Sequence, residues 1–333
     1  MVTPTVSIIV PIYNRCNMLS DFYLSVKNQT FKDWELVFVD DSSTDSTLSR
    51  LHEIASIDSR VKIFKNLYSK GPSGARNTGL DNSVGKYIAY QDSDDEWMPY
   101  HLEVMVEYLN KHPDIDVMTA DPLRKKKATG EVYHFDRLEL NSNDYTLRDG
   151  CWVIHTDRLF DIQLRNRAIT TQTIVGKSKI LKQVRWNEVL RAATDNLHNL
   201  SLCSREIVVC HVPNYHVVYW AHGDNITNAL NTHSDEKAEF YQKYFALFWL
   251  ELINNFRLTK QQRKFCLSNL SQVYAWHIAY HLLEKNHRFG EAYTYYLRAF
   301  RVEPTNLLIL RKLVTLPFKF ILFFSKRFLG VRL

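Results

Sequence analysis

At 333 residues, with 45% hydrophobic and 23% charged side chains, the chain is long enough for one large α/β domain and a smaller appendage. Its formal charge of +6 is concentrated at one end: the last acid is Glu303, and beyond it lie Arg311, Lys312, Lys319, Lys326, Arg327 and Arg332. That placement excludes a nucleic-acid protein, whose cations would cover a face interleaved with stacking aromatics.

The first predicted strand is Val6 to Tyr13, closed by the turn residues Asn14 and Arg15. A helix follows with Leu19, Phe22, Tyr23 and Val26 at helical spacing. Trp34 to Val39 forms a second strand, which delivers Asp40-Asp41-Ser42-Ser43-Thr44-Asp45 at its carboxyl end and leads into a helix through Leu48, Leu51 and Ile54. A short third strand spans Val61 to Phe64, and the glycine-rich stretch Gly71 to Gly79 enters a further helix. That stretch has two readings: a turn with a helix cap, or backbone amides and Arg76 facing a nucleotide.

Tyr87 to Tyr90 is an apolar strand running directly into Asp92-Ser93-Asp94-Asp95-Glu96. Three aspartates in four positions repel one another unless a positive charge neutralises them, and hard carboxylates suit Mg²⁺ or Mn²⁺ shared with substrate phosphates. The alternative is the acidic start of a helix near Trp97 or Pro99. The alternation of strands and helices predicts a parallel, doubly wound sheet, and in such sheets ligands sit beyond the carboxyl ends of the strands, where both acidic groups fall. No G-x-G-x-x-G follows the first strand and no G-x-x-x-x-G-K-[ST] occurs, so dinucleotide-binding and P-loop classes are set aside.

Further on, Arg124-Lys125-Lys126-Lys127 before Ala128-Thr129-Gly130 reads as a solvated hairpin tip, and Ile169 to Val175 as an alternating strand. Asp195 falls in the first turn of a predicted helix, where a plain N-cap is the simplest reading. Val208 to Val212 and His216 to Trp220 read as two strands, the second leading to His222-Gly223-Asp224-Asn225. His222 is either a metal or phosphate ligand or a structural histidine. Five cysteines without metal-ligand spacing predict reduced thiols in a cytoplasmic protein, and neither a signal peptide nor a run of about 20 apolar residues is expected.

From about Ser234 the pattern becomes helical and aromatic, and Ala275 to Pro304 resembles one tetratricopeptide-type helical hairpin. Leu307 to Leu333 alternates apolar clusters with lysine and arginine, which suits a helix lying in an anionic membrane interface; a packed terminal helix is the alternative.

In this order, Ser7 to Arg15, Gln29-Thr30-Phe31, Glu35 to Asp45, Gly74-Ala75-Arg76-Asn77-Thr78-Gly79, Asp92-Ser93-Asp94-Asp95, Asp195 and His222 to Asn225 resemble the family 2 glycosyltransferases of the GT-A fold. These are inverting enzymes that use nucleotide-diphospho-sugars, many of them building bacterial surface polysaccharides. The resemblance covers about residues 4 to 230. It implies a GT-A catalytic domain over 1–230, a mostly parallel α/β sheet flanked by helices, followed by a helical region over 231–305 and a basic amphipathic tail over 306–333.

The same resemblance implies that Asp41 bonds the nucleobase, usually uracil, and that Pro11 and Tyr13 line the base pocket. Arg76 would lie against the nucleotide, Asp92 near the ribose, and Asp94 on a Mn²⁺ or Mg²⁺ ion, with His222 near the diphosphate as a possible second ligand. Asp195 matches the catalytic base. The chain departs from the family at Thr194, where glutamate is usual, and at Ala221, where arginine is frequent. The implied partners are a nucleotide-sugar donor, a glycan or lipid-linked acceptor and, through the tail, an anionic membrane on its cytoplasmic side. The competing classes are a sugar nucleotidyltransferase, which would need a glycine-rich basic loop where Asn14-Arg15-Cys16 stands, and a non-catalytic helical adaptor.

Overall fold

The computed structural model describes residues 3–135, 137–166, 168–221 and 235–328. Two compact units are present: one comprises Met1–Val189 with Thr194–Gly223, the other Leu190–Ala193 with Asp224–Leu333.

The first unit is built on a mixed sheet. Strand β1 (Val6–Ile12) pairs in parallel with β2 (Trp34–Asp40) on one side and β4 (Tyr87–Tyr90) on the other, and β3 (Val61–Lys65) continues in parallel beyond β2. Every residue of β2 and β4 is buried, as expected of central strands covered on both faces. The short β10 (Val175–Lys177) runs antiparallel between β4 and β6 (Val117–Lys126). It thereby leaves those two strands parallel to each other, and β6 pairs in parallel with β11 (Val209–Ala221). The strands β1, β2, β3, β4, β6 and β11 therefore all end on one edge, with β8 (Tyr145–Arg148) and β9 (Cys151–Ile154) closing the sheet antiparallel on the far side.

Three expectations are corrected. The segment Ile169 to Val175 is not a strand: Thr171–Thr173 form a 3-10 turn, and only Val175–Lys177 joins the sheet. The two strands expected between Val208 and Trp220 are one, bent by register shifts between Val212 and Val217. No helix starts at Trp97 or Pro99. Glu96–Trp97 form a two-residue strand, β5, antiparallel to Val217 and Val218, and the helix begins at His101. The acidic cluster thus lies in a loop between two sheet strands, and the helix-start explanation of its charge is lost.

Helix α3 (Pro72–Asn82) already encloses most of the stretch read as a glycine-rich loop. Two of its glycines are there for close approach: a Cβ on Gly79 would stand 2.3 Å from Ile9 Cγ2, and one on Gly74 would stand 2.0 Å from the Ser69 carbonyl oxygen. No side chain fits at either place, so the helix lies directly on β1. Asn77 then clamps Trp186, its amide donating to the Trp186 carbonyl at 3.0 Å and its oxygen accepting the Trp186 N–H at 2.9 Å.

Trp186 stacks flat on His198, 3.8 Å between centroids and 3° between planes, with Tyr90 edge-on to both. His198 is 1% exposed, and neither ring nitrogen has a hydrogen-bond partner among the described residues. Burial, and then the charge of Arg76, lower its pKa from 6.5 to about 3. His216 is likewise lowered, to about 4, by burial and His211, and His101, 3.2 Å from it, is lowered by burial and His216.

The second unit is helical. It contains α8 (Asp235–Asn255), α9 (Lys260–Gln272) running on into a π-helical stretch over Val273–Glu284, α10 (Phe289–Val302) and α11 (Leu307–Phe328). Glu284, 7% exposed, accepts from Tyr296 at 2.8 Å, Lys312 at 2.9 Å and Lys319 at 2.8 Å. This pins α11 by two of its own lysines. No helix among the described residues is long and apolar enough to cross a membrane.

Because the folded-state pKa of His198 is depressed, its contribution to stability is complete above the unfolded value of 6.5 and is lost as pH falls towards about 3. Replacing it in His198→Phe, which keeps a ring against Trp186, is expected to make the acid limb shallower by about 1.4 kcal/mol per pH unit in that window. Urea unfolding at a series of pH values measures this; an unchanged slope would show that His198 is not held neutral.

Candidate active site

The loops after β1 and β2 meet at the shared strand edge. Asn14 and Ser42 adopt left-handed backbone, with φ of 51° and 66°. Asparagine tolerates this conformation better than serine. The two loops are stitched by Asn14 N–H donating to Ser43 Oγ at 3.0 Å and Thr44 N–H donating to Asn14 Oδ1 at 2.8 Å. Arg15 N–H donates to Thr47 Oγ1 at 2.8 Å, and its guanidinium stands 3.7 Å from Asp94.

Asp41 follows β2 directly and is 6% exposed. Its backbone N–H reaches the Ile12 carbonyl at 2.8 Å, and its carboxylate accepts from Gly71 N–H at 2.8 Å and Asn66 Nδ2 at 2.6 Å. Those two donors fix the carboxylate in one orientation while leaving lone pairs for a further donor. Beside it Tyr13 is 41% exposed, with Lys70 4.5 Å from its ring centroid, and Pro11 is half-buried.

Arg76 links the remaining acids. Its side chain is 3% exposed, it lies 4.3 Å from the Trp186 ring centroid, and its two terminal nitrogens reach Asp92 Oδ1 at 2.6 Å and Asp195 Oδ1 at 3.1 Å. Burial pulls the guanidinium pKa down, but Asp92 and then Asp195 more than restore it, so it stays raised and the charge is secure. Asp195 stands in the first turn of α7 (Thr194–Cys203), and its side chain remains 48% exposed. Asp92 also accepts from Gln172 Nε2, whose own oxygen accepts from the Tyr219 hydroxyl at 2.5 Å.

Asp41, Arg76, Asp92, Asp94 and Asp195, all singled out in the sequence, thus fall at one edge of one sheet. His222 lies outside the described residues. Gln172, Trp186, His198, Tyr219 and Glu188 were not singled out as site residues, yet Gln172 and Trp186 directly hold Asp92 and Arg76. Glu188 binds both Ser69 N–H at 2.9 Å and Asn77 at 2.8 Å. Only contacts between distant segments reveal them; a glutamine or tryptophan alone carries no such signal.

The charge of the cluster bears on a metal. Burial, followed by the neighbouring Asp94 and Asp92 carboxylates, pushes the Asp95 carboxyl well above the usual range. No group of three or more histidine, cysteine, aspartate or glutamate side chains among the described residues forms a complete ligand set. The donor set fits a hard divalent cation that takes one or two carboxylates and completes its shell with ligand oxygens and water.

Comparison with known proteins shows the family and the fold. The sequence model described as Glycosyl transferase family 2 matches residues 7–184. The chain is 43% identical over 107 residues, 32% of its length and 42% of the relative's, to the UDP-Glc:alpha-D-GlcNAc-diphosphoundecaprenol beta-1,3-glucosyltransferase WfgD of Escherichia coli. It is 38% identical over 109 residues, 32% of its length and 35% of the relative's, to the GalNAc(5)-diNAcBac-PP-undecaprenol beta-1,3-glucosyltransferase of Campylobacter jejuni. The matched stretch spans less than half of either relative. Among solved structures, TarS 1-349 of S. aureus in complex with UDP-GlcNAc superposes with a TM-score of 0.64 at 20% identity, over 95% of this chain and 88% of that one. The fold is that of the GT-A enzymes, and with just over half of its length matched by the family the chain belongs to glycosyl transferase family 2.

Proposed function

We propose that the protein transfers a sugar, with inversion, from a nucleoside-diphosphate sugar whose base is uracil to an acceptor hydroxyl in the assembly of a surface polysaccharide or glycolipid. The observation that carries this reading is the Arg76 bridge: the acid assigned as base, Asp195, is tied through one guanidinium to Asp92, assigned to the donor. The uracil ring is assigned to Asp41, with Pro11 and Tyr13 beside it.

In the reaction, an acceptor oxygen attacks the anomeric carbon as the bond from that carbon to the diphosphate oxygen breaks. The electron pair leaves with the diphosphate, and the acceptor's proton passes to Asp195. Developing positive charge on the ring is like that in glycoside hydrolysis. Asp94, with Asp92 near it, is the residue to hold Mn²⁺ or Mg²⁺, and such an ion supplies charge neutralisation for a leaving diphosphate. Arg76 keeps Asp195 aimed while its side chain stays open to the acceptor.

The names of the relatives in E. coli and C. jejuni, both of which act on diphosphoundecaprenol-type substrates, support a lipid-linked acceptor. Helix α11 supports peripheral attachment to an anionic membrane. Ile309, Leu313 and Leu316 are buried, but Leu307, Val314, Phe318 and Ile321 form an exposed stripe at helical spacing, 58–76% exposed. Lys312 and Lys319 are already engaged by Glu284, so apolar insertion rather than those two charges is the main attraction.

Asp195→Asn is expected to lower transfer by about 10²–10⁴-fold while UDP still raises the melting temperature in the presence of Mn²⁺; Asp94→Asn is expected to abolish that Mn²⁺-dependent rise. Wild-type transfer by Asp195→Asn would remove the assignment. For the membrane, Phe318→Glu with Ile321→Glu should weaken co-sedimentation with phosphatidylglycerol vesicles by about tenfold or more, and equal sedimentation would dismiss α11 as the contact.

A further inference from the structure

Three consecutive polar residues, Thr171, Gln172 and Thr173, are buried in the 3-10 turn before β10. Burying polar groups without partners is costly, and here the partners come from separate elements. Thr173 Oγ1 lies 2.7 Å from Thr119 Oγ1 of β6, and the Gln172 carbonyl accepts from Trp97 Nε1 of β5 at 2.8 Å. Asn199, one helical turn beyond Asp195 on α7, donates to the Ile169 carbonyl at 2.9 Å and to Thr171 Oγ1 at 3.3 Å. The turn is therefore fixed both to strands of the sheet and to the helix that carries Asp195, and the Gln172 side chain leaves it from a rigid base.

The two ends of a glutamine amide are not interchangeable beside a carboxylate, because only the nitrogen can donate. Gln172 Nε2 donates to Asp92 Oδ2, which leaves Oε1 needing a donor, and the Tyr219 hydroxyl supplies one at 2.5 Å. Tyr219 is itself placed by the sheet: β6, between β11 and β7 (Val132–Phe135), sets the Arg124 guanidinium 5.4 Å from the Tyr219 ring centroid. Asp92 is thus gripped on both oxygens, Oδ1 by Arg76 and Oδ2 by Gln172, while its side chain stays 25% exposed. A carboxylate oxygen has two lone pairs, so both oxygens can still accept from a ligand.

We propose that Gln172 is a positioning residue for the donor's ribose: by holding Asp92 Oδ2, with Tyr219 satisfying the far end of its amide, it turns the Asp92 carboxylate to meet the ribose hydroxyls. This rests on the donor reading given above, with Asp92 near the ribose. Arg76 alone would hold one oxygen and leave the carboxylate free to rotate about that contact; a second grip fixes its plane. The effect of Gln172 is therefore confined to nucleotides that offer those hydroxyls.

The test compares UDP with dideoxy-UDP, which lacks both ribose hydroxyls, by calorimetric titration of the full chain in the presence of Mn²⁺. Wild type is expected to bind UDP about tenfold or more tightly than the dideoxy nucleotide. Gln172→Leu, of similar size, should weaken UDP to within about threefold of the dideoxy nucleotide and leave the latter unchanged within about twofold. Tyr219→Phe, which keeps the ring and removes the hydroxyl, should lower the ratio in the same direction and add nothing in the Gln172→Leu background. If Gln172→Leu does not fold, Tyr219→Phe decides alone. Weakening of both nucleotides by the same factor, as a merely structural role would give, or a ratio unchanged from wild type, would overturn the proposal. Equal binding of the two nucleotides by wild type would overturn it through Asp92 while leaving the donor site intact. Failure of wild type to bind UDP at all would instead remove the donor reading, and this proposal with it.

Discussion

A buried guanidinium between two carboxylates holds this site together. A charge at the position of Arg76 is costly without partners, and removing both acids would leave it uncompensated. Asp92 reaches it from the loop after β4 and Asp195 from the first turn of α7, so one ion-pair network ties two distant stretches of chain at the same point. The arrangement depends in turn on α3 lying directly on β1, which requires the absence of a side chain at Gly79, and on the preceding loop at Ser69, which requires its absence at Gly74. Trp186 supports the guanidinium, Asn77 clamps Trp186, and His198, held neutral, backs the stack without adding a charge that would repel Arg76.

The mixed sheet explains how Asp41, the acidic loop and Asp195 come to share one edge. Parallel strands β1, β2 and β4 deliver Asp41 and the acidic loop, and antiparallel β10, inserted later in the chain between β4 and β6, leaves β6 and β11 running in the same direction as β4. Strand β5 then folds the acidic loop back onto β11. The loop is therefore bounded on one side by Arg15 and Arg76 and on the other by Tyr219 and Trp220. Within it, burial and then the Asp94 and Asp92 carboxylates hold the Asp95 carboxyl well above the usual range.

Much of this was legible in the sequence because β1, β2 and β4 are continuous apolar runs ended by acids, and a strand end is a fixed place in a parallel sheet. Asp41, Asp92 and Asp94 could thus be placed before any coordinates. The segment around Gln172 was misread because its alternation mimics a strand, although Thr171–Thr173 make a 3-10 turn whose glutamine points back to Asp92. The glycines of α3 left two readings open, a turn with a helix cap or a loop facing a nucleotide; what they do in the fold is contact Ile9 and Ser69, which no local pattern contains. The basic run at 124–127 looked solvated because the aromatic partners of Arg124 and Lys125 lie almost a hundred residues further on. His222 lies outside the described residues, and its sequence reading stands apart from the rest.

The most direct measurement is a crystal structure of the full chain with UDP and Mn²⁺. The account predicts uracil against Tyr13 with Asp41 bonding its edge, both phosphates at Asp94, and Arg76 still joining Asp92 to an Asp195 that faces the open side of the phosphates. Nucleotide bound away from Asp41 and Asp94, or Asp195 turned off the phosphate side with the Arg76 bridge broken, would contradict it.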